Sequence, residues 1–368
     1  MPTKLGDRML IGINKIEKYL EEASEHTDAS EYGKALRAYE KALKLCENED
    51  ESRLRCLCAL ADCERMSGKF TKAADDYKLA RELANSLNDS VGALDSTVGW
   101  GLALRALGLW KDALQKIEDA EAGYVEKADK SGMAFCLWAK AGTFRIAGDI
   151  KQAVELFERA KDMFEQLEET SAIGYCHTGI GGAKRMAGDF AASLDNYNAA
   201  NVIFKKVKDR FGLAYSYCGI GNALRMTGEF SESKKFLNRA AKIYDHIDDI
   251  VSSAYTLWSL GVLSLMQGKI AESEKRFAQA LKYFKKTSDV RGLAYVFLGK
   301  AQVEFLSKRK QKAIVCVKKA LDITARYSFS LEHCHGAAIM AALEGNSNTC
   351  HKESGIYDIG SSFPFNIP

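Results

Sequence analysis

Three sets of residues in this chain have types and spacings that chemistry could use. The first is "GIGNALRMTGEF", Gly219 to Phe230, whose glycines suggest a loop closing on a phosphate. A dinucleotide loop needs G-x-G-x-x-G between a strand and a helix, with an acidic residue about 20 positions on. Gly219 and Gly221 supply the first two glycines, but Leu224 stands at the third place, and "DRFGLAYSYC" before them has no compact Val/Ile run. The second set is "HCH" (His333, Cys334, His335), with Cys350 and His351 further on. Two histidines two apart on a helix point to different sides, and no metal-ligand spacing is matched, so no metal is expected. The third is a column of arginines, Arg65, Arg105, Arg145, Arg185 and Arg225, whose planar charged forks suit carboxylates or phosphates. No phosphate loop, nucleophile elbow or catalytic carboxylate pair accompanies them. The reading is a non-catalytic binding protein, not an enzyme, with no catalytic residues and no cofactor.

The elements that must position these residues follow from a repeat. Forty residues before the glycine stretch stands "GIGGAKRMAGDF", Gly179 to Phe190. Steps of forty from Gly228 reach Gly68, Gly108, Gly148, Gly188 and Gly268, and fail only at Lys308. Twelve residues after each of the seven places comes Ala80, Ala120, Ala160, Ala200, Ala240, Ala280 or Ala320. Self-similarity at a fixed period marks a stacked-repeat architecture. After the glycine column, apolar and small residues recur at i, i+3, i+7 and i+10, one face of a helix. Before it, a run such as "GLAYSYCGIGNALRMT" is long enough for a second helix, with its own small column at Ala61, Gly101, Ala141, Gly181, Gly221, Gly261 and Ala301. The glycine column falls at a helix end, where a left-handed residue without a Cβ costs least, and Asp149, Asp189 or Glu229 follows as a candidate cap.

The order of Gly221, Ser233, Leu237 and Ala240 resembles the tetratricopeptide repeat. The forty-residue period is similar to the longer-repeat subclass of kinesin light chains and spindle-orientation adaptors. The resemblance covers roughly residues 9 to 326. It lacks the proline that ends the second helix of shorter repeats, since the only prolines are Pro2, Pro364 and Pro368. It implies an all-α fold, a right-handed α-solenoid of about eight helix pairs with a C-terminal capping helix. The expected division is an array over 1–326, a capping helix over 327–345 and a tail over 346–368. The first pair, "EYGKALRAYEKAL", is atypical and sits 38 rather than 40 residues before the next.

The resemblance also implies that the first helix of each pair lines a concave groove. On that face helical spacing places Arg145, Arg185, Arg225, Asn222, Tyr175, Tyr215, Tyr255, Tyr295, Trp258 and Gln302, the candidate ligand-binding residues. A bland alternative stands beside this one. Each of Arg145, Arg185 and Arg225 has an acid four residues on (Asp149, Asp189, Glu229), a pairing worth a few tenths of a kcal/mol. The tyrosines have the alternative of packing between repeats.

A net charge of +3 is too mild to argue for nucleic acid. Residues 1–160 carry about −4 and the remainder about +7, a modest polarity along the array. No apolar run approaches a membrane span, no signal peptide is present, and ten cysteines without paired spacing fit a reducing cytoplasm. The tail "GIYDIGSSFPFNIP" carries Tyr357, Ile359, Phe363, Phe365 and Ile367 at odd positions, so it docks on its own groove, on another copy or on a partner, or stays disordered. Together these give a scaffold or adaptor that binds a protein or peptide segment, acidic with apolar anchors, with self-association through the tail as a variant. Two alternatives are a sensor of a small anionic ligand or signalling peptide, and an accessory subunit of an enzyme complex.

Overall fold

A computed structural model describes residues 4–46, 49–346, 350, 357–360 and 363–368, with residues 4–14 as backbone only. Residues 1–3 of the expected array, and within the tail 347–349, 351–356 and 361–362, lie outside the described residues, His351 among them. The described chain forms 17 helices, eight pairs and one more. The pairs open with α1 (Lys4–Asp28) and α2 (Tyr32–Leu43), then α3 (Asp50–Met66) and α4 (Phe70–Ser86). Next come α5 (Ser90–Ala106) with α6 (Trp110–Glu126), and α7 (Lys130–Ala147) with α8 (Ile150–Gln166). They continue with α9 (Thr170–Ala187) and α10 (Phe190–Val207), then α11 (Arg210–Met226) and α12 (Phe230–His246). The last are α13 (Ile250–Met266) with α14 (Ile270–Thr287), and α15 (Val290–Leu306) with α16 (Lys310–Tyr327). Helix α17 (Ser330–Glu344) follows alone. None of these helices is long and apolar enough to cross a membrane.

The boundaries are set by left-handed residues at two places in each repeat. The column Gly68 to Gly268 has φ between 73° and 94° and ends each first helix. A second column, Asn88, Ala128, Glu168, Lys208, Asp248, Ser288 and Ser328, ends each second helix at φ 54–59°. There the missing proline is replaced by a strained non-glycine residue followed by a cap. Asp89, Asp129, Asp209 and Asp289 each accept a hydrogen bond from the backbone N–H three residues on, and Asp249 from Val251 and Ser252. Asp149 and Asp189 cap α8 and α10 in the same way, whereas Glu229 makes no cap bond and accepts from the Thr227 hydroxyl instead.

The two glycines of "GIG" face two different helices. A Cβ on Gly219 would lie 2.0 Å from the ring of Tyr197, on the second helix of the preceding repeat. A Cβ on Gly221 would lie 2.7 Å from Leu237, on the second helix of its own repeat. The same alternation holds at Gly179 over Phe157 and Gly181 over Tyr197. Ser193, Ser233 and Ser273 reinforce the inner seam by donating to the carbonyls of Gly181, Gly221 and Gly261.

Stacked in this way, the array curls back onto itself. Trp110 Nε1 donates to the carbonyl of Tyr327, 217 residues on, and Ser330 Oγ to that of Ala147, 183 residues away. The turns at Gly68 and Gly108 press on Val251, Thr287, Val290 and Phe329. Ile150, Ala153, Ala183 and Met186 share a buried cluster with Leu331 and Cys334 of α17. Helix α17 therefore both ends the stack and joins it to its own middle.

The described part of the tail is packed, not solvated. The Tyr357 N–H donates to the Met186 carbonyl, and its ring meets Phe190 edge-on at 4.9 Å. Ile359, Phe365 and Ile367 are buried in the core of the last repeats. One feature departs from reading all ten cysteines as reduced: Cys334 and Cys350 are joined as a disulfide, Cα to Cα 5.4 Å, tying the start of the tail to α17.

Gly221→Leu should lower the melting temperature by circular dichroism, because overpacking against Leu237 typically costs about 1–3 kcal/mol. An unchanged melting temperature would remove the close-contact account. Trp110→Ala should open the closed superhelix, read as a larger radius of gyration in small-angle X-ray scattering. The same radius in both proteins would mean that closure does not depend on that contact.

Candidate functional site

Along the first helices the curled array forms a half-open cavity of about 720 Å³. Of the candidate residues, Arg145, Arg185, Asn222, Tyr175, Tyr215, Tyr255, Tyr295 and Trp258 line it. Arg225 and Gln302 do not, because residues 363–368 lie on them. Phe365 donates its N–H to Gln302 Oε1 at 2.6 Å, and Arg225 donates to the Ile367 carbonyl at 2.8 Å and to the Asn366 side chain. Asn366 returns a bond to the Arg225 carbonyl at 3.0 Å. Phe363 stacks edge-on between Phe305 and Phe365, at 5.0 and 5.4 Å. Pro368 ends this seat at the cavity wall. Asn222 does not reach the tail backbone. Its Oδ1 accepts from Arg225, and its amide donates to the Cys218 carbonyl.

The arginines follow one another along the wall. Arg105 Nη1 sits where a Cβ on Gly142 would come within 2.4 Å, and Arg145 Nη1 occupies the same place over Gly182. At Gly142 and Gly182, one turn before Arg145 and Arg185, the absent side chain thus admits the guanidinium of the preceding repeat. Asp149 and Asp189 are not the partners of these arginines: among the described residues neither forms an ion pair with Arg145 or Arg185, and both are spent on helix caps. The local-pairing alternative is thereby corrected, since a short side chain cannot serve the helix N-terminus and reach back one turn. Burial, with Arg145 and Arg65 alongside, pushes Arg105 down to about 9. Burial next to Arg185 does the same to Arg225.

The tyrosines line the cavity and also bridge neighbouring repeats. Tyr175 and Tyr255 line the cavity, and their hydroxyls donate to Asp209 and Asp289 of the next repeat at 2.7 and 2.8 Å. Burial, joined by the facing carboxylate, raises both phenols well above their ordinary value. Tyr295 is deeply buried, and its carbonyl accepts from Trp258 Nε1 at 3.0 Å. Only Tyr215 is free of a hydroxyl bond among the described residues while remaining partly exposed to the cavity. Sequence reading named Arg105 in the arginine column but left it out of the candidate set, and passed over Tyr197 and Tyr244; all three line the cavity. Arg105 was visible in the forty-residue column. Tyr197 and Tyr244 belong to second helices, whose rings reach the cavity only because glycines opposite leave room.

No protein-family model matches the chain, and no curated protein matches it. Solved structures do. A Rap protein complexed with Competence and Sporulation Factor superposes with a TM-score of 0.59 at 14% identity, covering 93% of this chain and 99% of that one. The Rap conjugation gene regulator of the plasmid pLS20, in complex with the Phr* peptide, gives 0.60 at 13%, covering 93% and 92%. NprR in complex with its cognate peptide NprX gives 0.57 at 14%, covering 85% and 90%. At such identities the likeness shows the fold: with eight helix pairs, the small and alanine columns and these neighbours, the chain is a tetratricopeptide-type helical-repeat protein.

Proposed function

We propose that this protein is a non-catalytic regulator or adaptor that binds an extended peptide segment of a partner in its groove. The observation that carries the reading is the seat of residues 363–368. There the groove holds a chain segment through its backbone, with Gln302 and Arg225 reading one N–H and one carbonyl while Phe365 and Ile367 fill apolar sites. Recognition of an extended segment by main-chain bonds plus side-chain pockets is a general mode. Full burial of two such side chains contributes roughly 1.5–3 kcal/mol each. That the superposed Rap proteins and NprR are each in complex with a peptide or factor agrees with it. The partner segment in this reading has apolar anchors toward Trp258 and acidic groups toward Arg145 and Arg185. Exchange of the tail between copies would be the same recognition turned to self-association.

The test is fluorescence polarisation with a labelled peptide copying residues 357–368. A chain ending at residue 346, confirmed helical by circular dichroism, should bind it, and Gln302→Ala should weaken binding about tenfold, the loss of a buried hydrogen bond. The full chain should bind it more weakly, because its own tail holds the seat. A folded truncated chain that fails to bind would end this reading.

A further inference from the structure

Five arginines stand in the forty-residue column, and a sixth, Arg291, reaches the same cavity. Three of the six are neutralised or engaged. Arg65 bonds Asp62 at 3.4 Å, Arg291 bonds Glu332 at 2.6 Å, and Arg225 is taken up by the tail. Arg105, Arg145 and Arg185 have no carboxylate partner among the described residues. Arg105 spends one N–H on the Ala139 carbonyl at 3.1 Å. The Nε atoms of Arg145 and Arg185 are buried without a partner among the described residues, as is the hydroxyl of Tyr244, a side chain only 1% exposed on the same cavity. Three carboxylates also line the space: Asp62 faces Arg65, and Asp249 and Asp289 are held at the N-termini of α13 and α15. Three cations along one half-buried cavity wall, each with no carboxylate beside it among the described residues, repel one another where solvent is reduced around them.

The surroundings define what would relieve that repulsion. Gly142 and Gly182 make room for the guanidinium groups. Trp138 stacks with Phe135 at 5.6 Å and lies under Arg105 at 5.7 Å, giving a flat apolar wall beside the charges. A volume of about 720 Å³ falls within the size of small-molecule sites, roughly 300–1,000 Å³. We propose that Arg105, Arg145 and Arg185 form a binding site for a compact polyanionic group, two or more phosphates or carboxylates on a small body, seated beside the docked tail. The site shares the groove with the proposed function but does not require that a peptide displace residues 363–368.

The test uses the full chain, with thermal melting and calorimetric titration against pyrophosphate, citrate and a short peptide of Asp and Glu. Wild type should be stabilised and titrate with at least one probe. Arg145→Gln and Arg185→Gln should each weaken binding about tenfold or more, as charge-assisted bonds are lost, while Lys242→Gln, an exposed cation outside the cavity, leaves it unchanged. Without ligand the arginine variants should melt at or above wild type, because repulsion is relieved; a structural role would lower the melting point. Binding of the small anions alone assigns the site to a free ligand, and binding of the peptide alone to an acidic protein segment. Failure of all probes, equal binding by the double variant, or a lowered melting point of the ligand-free variants overturns the inference. The polarisation assay on residues 357–368 is unaffected by that outcome, so the two readings fail separately.

Discussion

The whole molecule depends on how closely one first helix lies on the second helices to either side. At Gly219 the backbone rests on the ring of Tyr197, and two residues later Gly221 rests on Leu237. Neither contact leaves room for a methyl group. Glycine inside a helix costs about 1 kcal/mol against alanine, so the seam is kept for the close approach it permits. Because each repeat touches mainly its neighbours, a small rotation at every such contact is repeated along the stack. The sum of those rotations brings Trp110 to Tyr327 and Ser330 to Ala147, and narrows an open groove into a half-open cavity.

That narrowing changes what the inner residues mean. An arginine on an open groove is a solvated, screened charge that tolerates its neighbours. The same arginine on the wall of a half-open cavity loses part of its water and feels the next arginine more strongly. The downward pull on Arg105 and Arg225 is the sign of this: burial first, then a like charge alongside. Where the chain supplies relief, it does so with acceptors at the two ends of the ladder, Asp62 beside Arg65 and the Ile367 carbonyl on Arg225. The middle of the ladder has no such acceptor among the described residues.

The tail and α17 divide the remaining work. Helix α17 closes the last apolar face and contacts the turn after α7, while Cys334–Cys350 ties the start of the tail to it. From there the described residues pass Met186 and Phe190 and finish against Gln302 and Arg225. The groove is therefore covered by the tail at Arg225 and Gln302, while Arg105, Arg145 and Arg185 line its remaining cavity.

What was legible in the sequence is what repeats. The period, the helix pairs, the left-handed glycine at each first turn, the small columns and the arginine ladder all come from contacts between residues at most one repeat apart, which leave a periodic trace. Arg145, Arg185, Tyr175 and Trp258 were placed on the inner face by helical spacing together with the resemblance to the repeat family, and they line the cavity. Only the tertiary structure decided the rest. The caps on α8 and α10 withdrew Asp149 and Asp189 from the arginines through a competition between two local bonds that spacing cannot rank. Closure, the bond between Cys334 and Cys350, and the covering of Arg225 and Gln302 by residues 363–368 join parts of the chain with no common period. Such contacts arise from many small rotations added together, and no single stretch of sequence carries their sum.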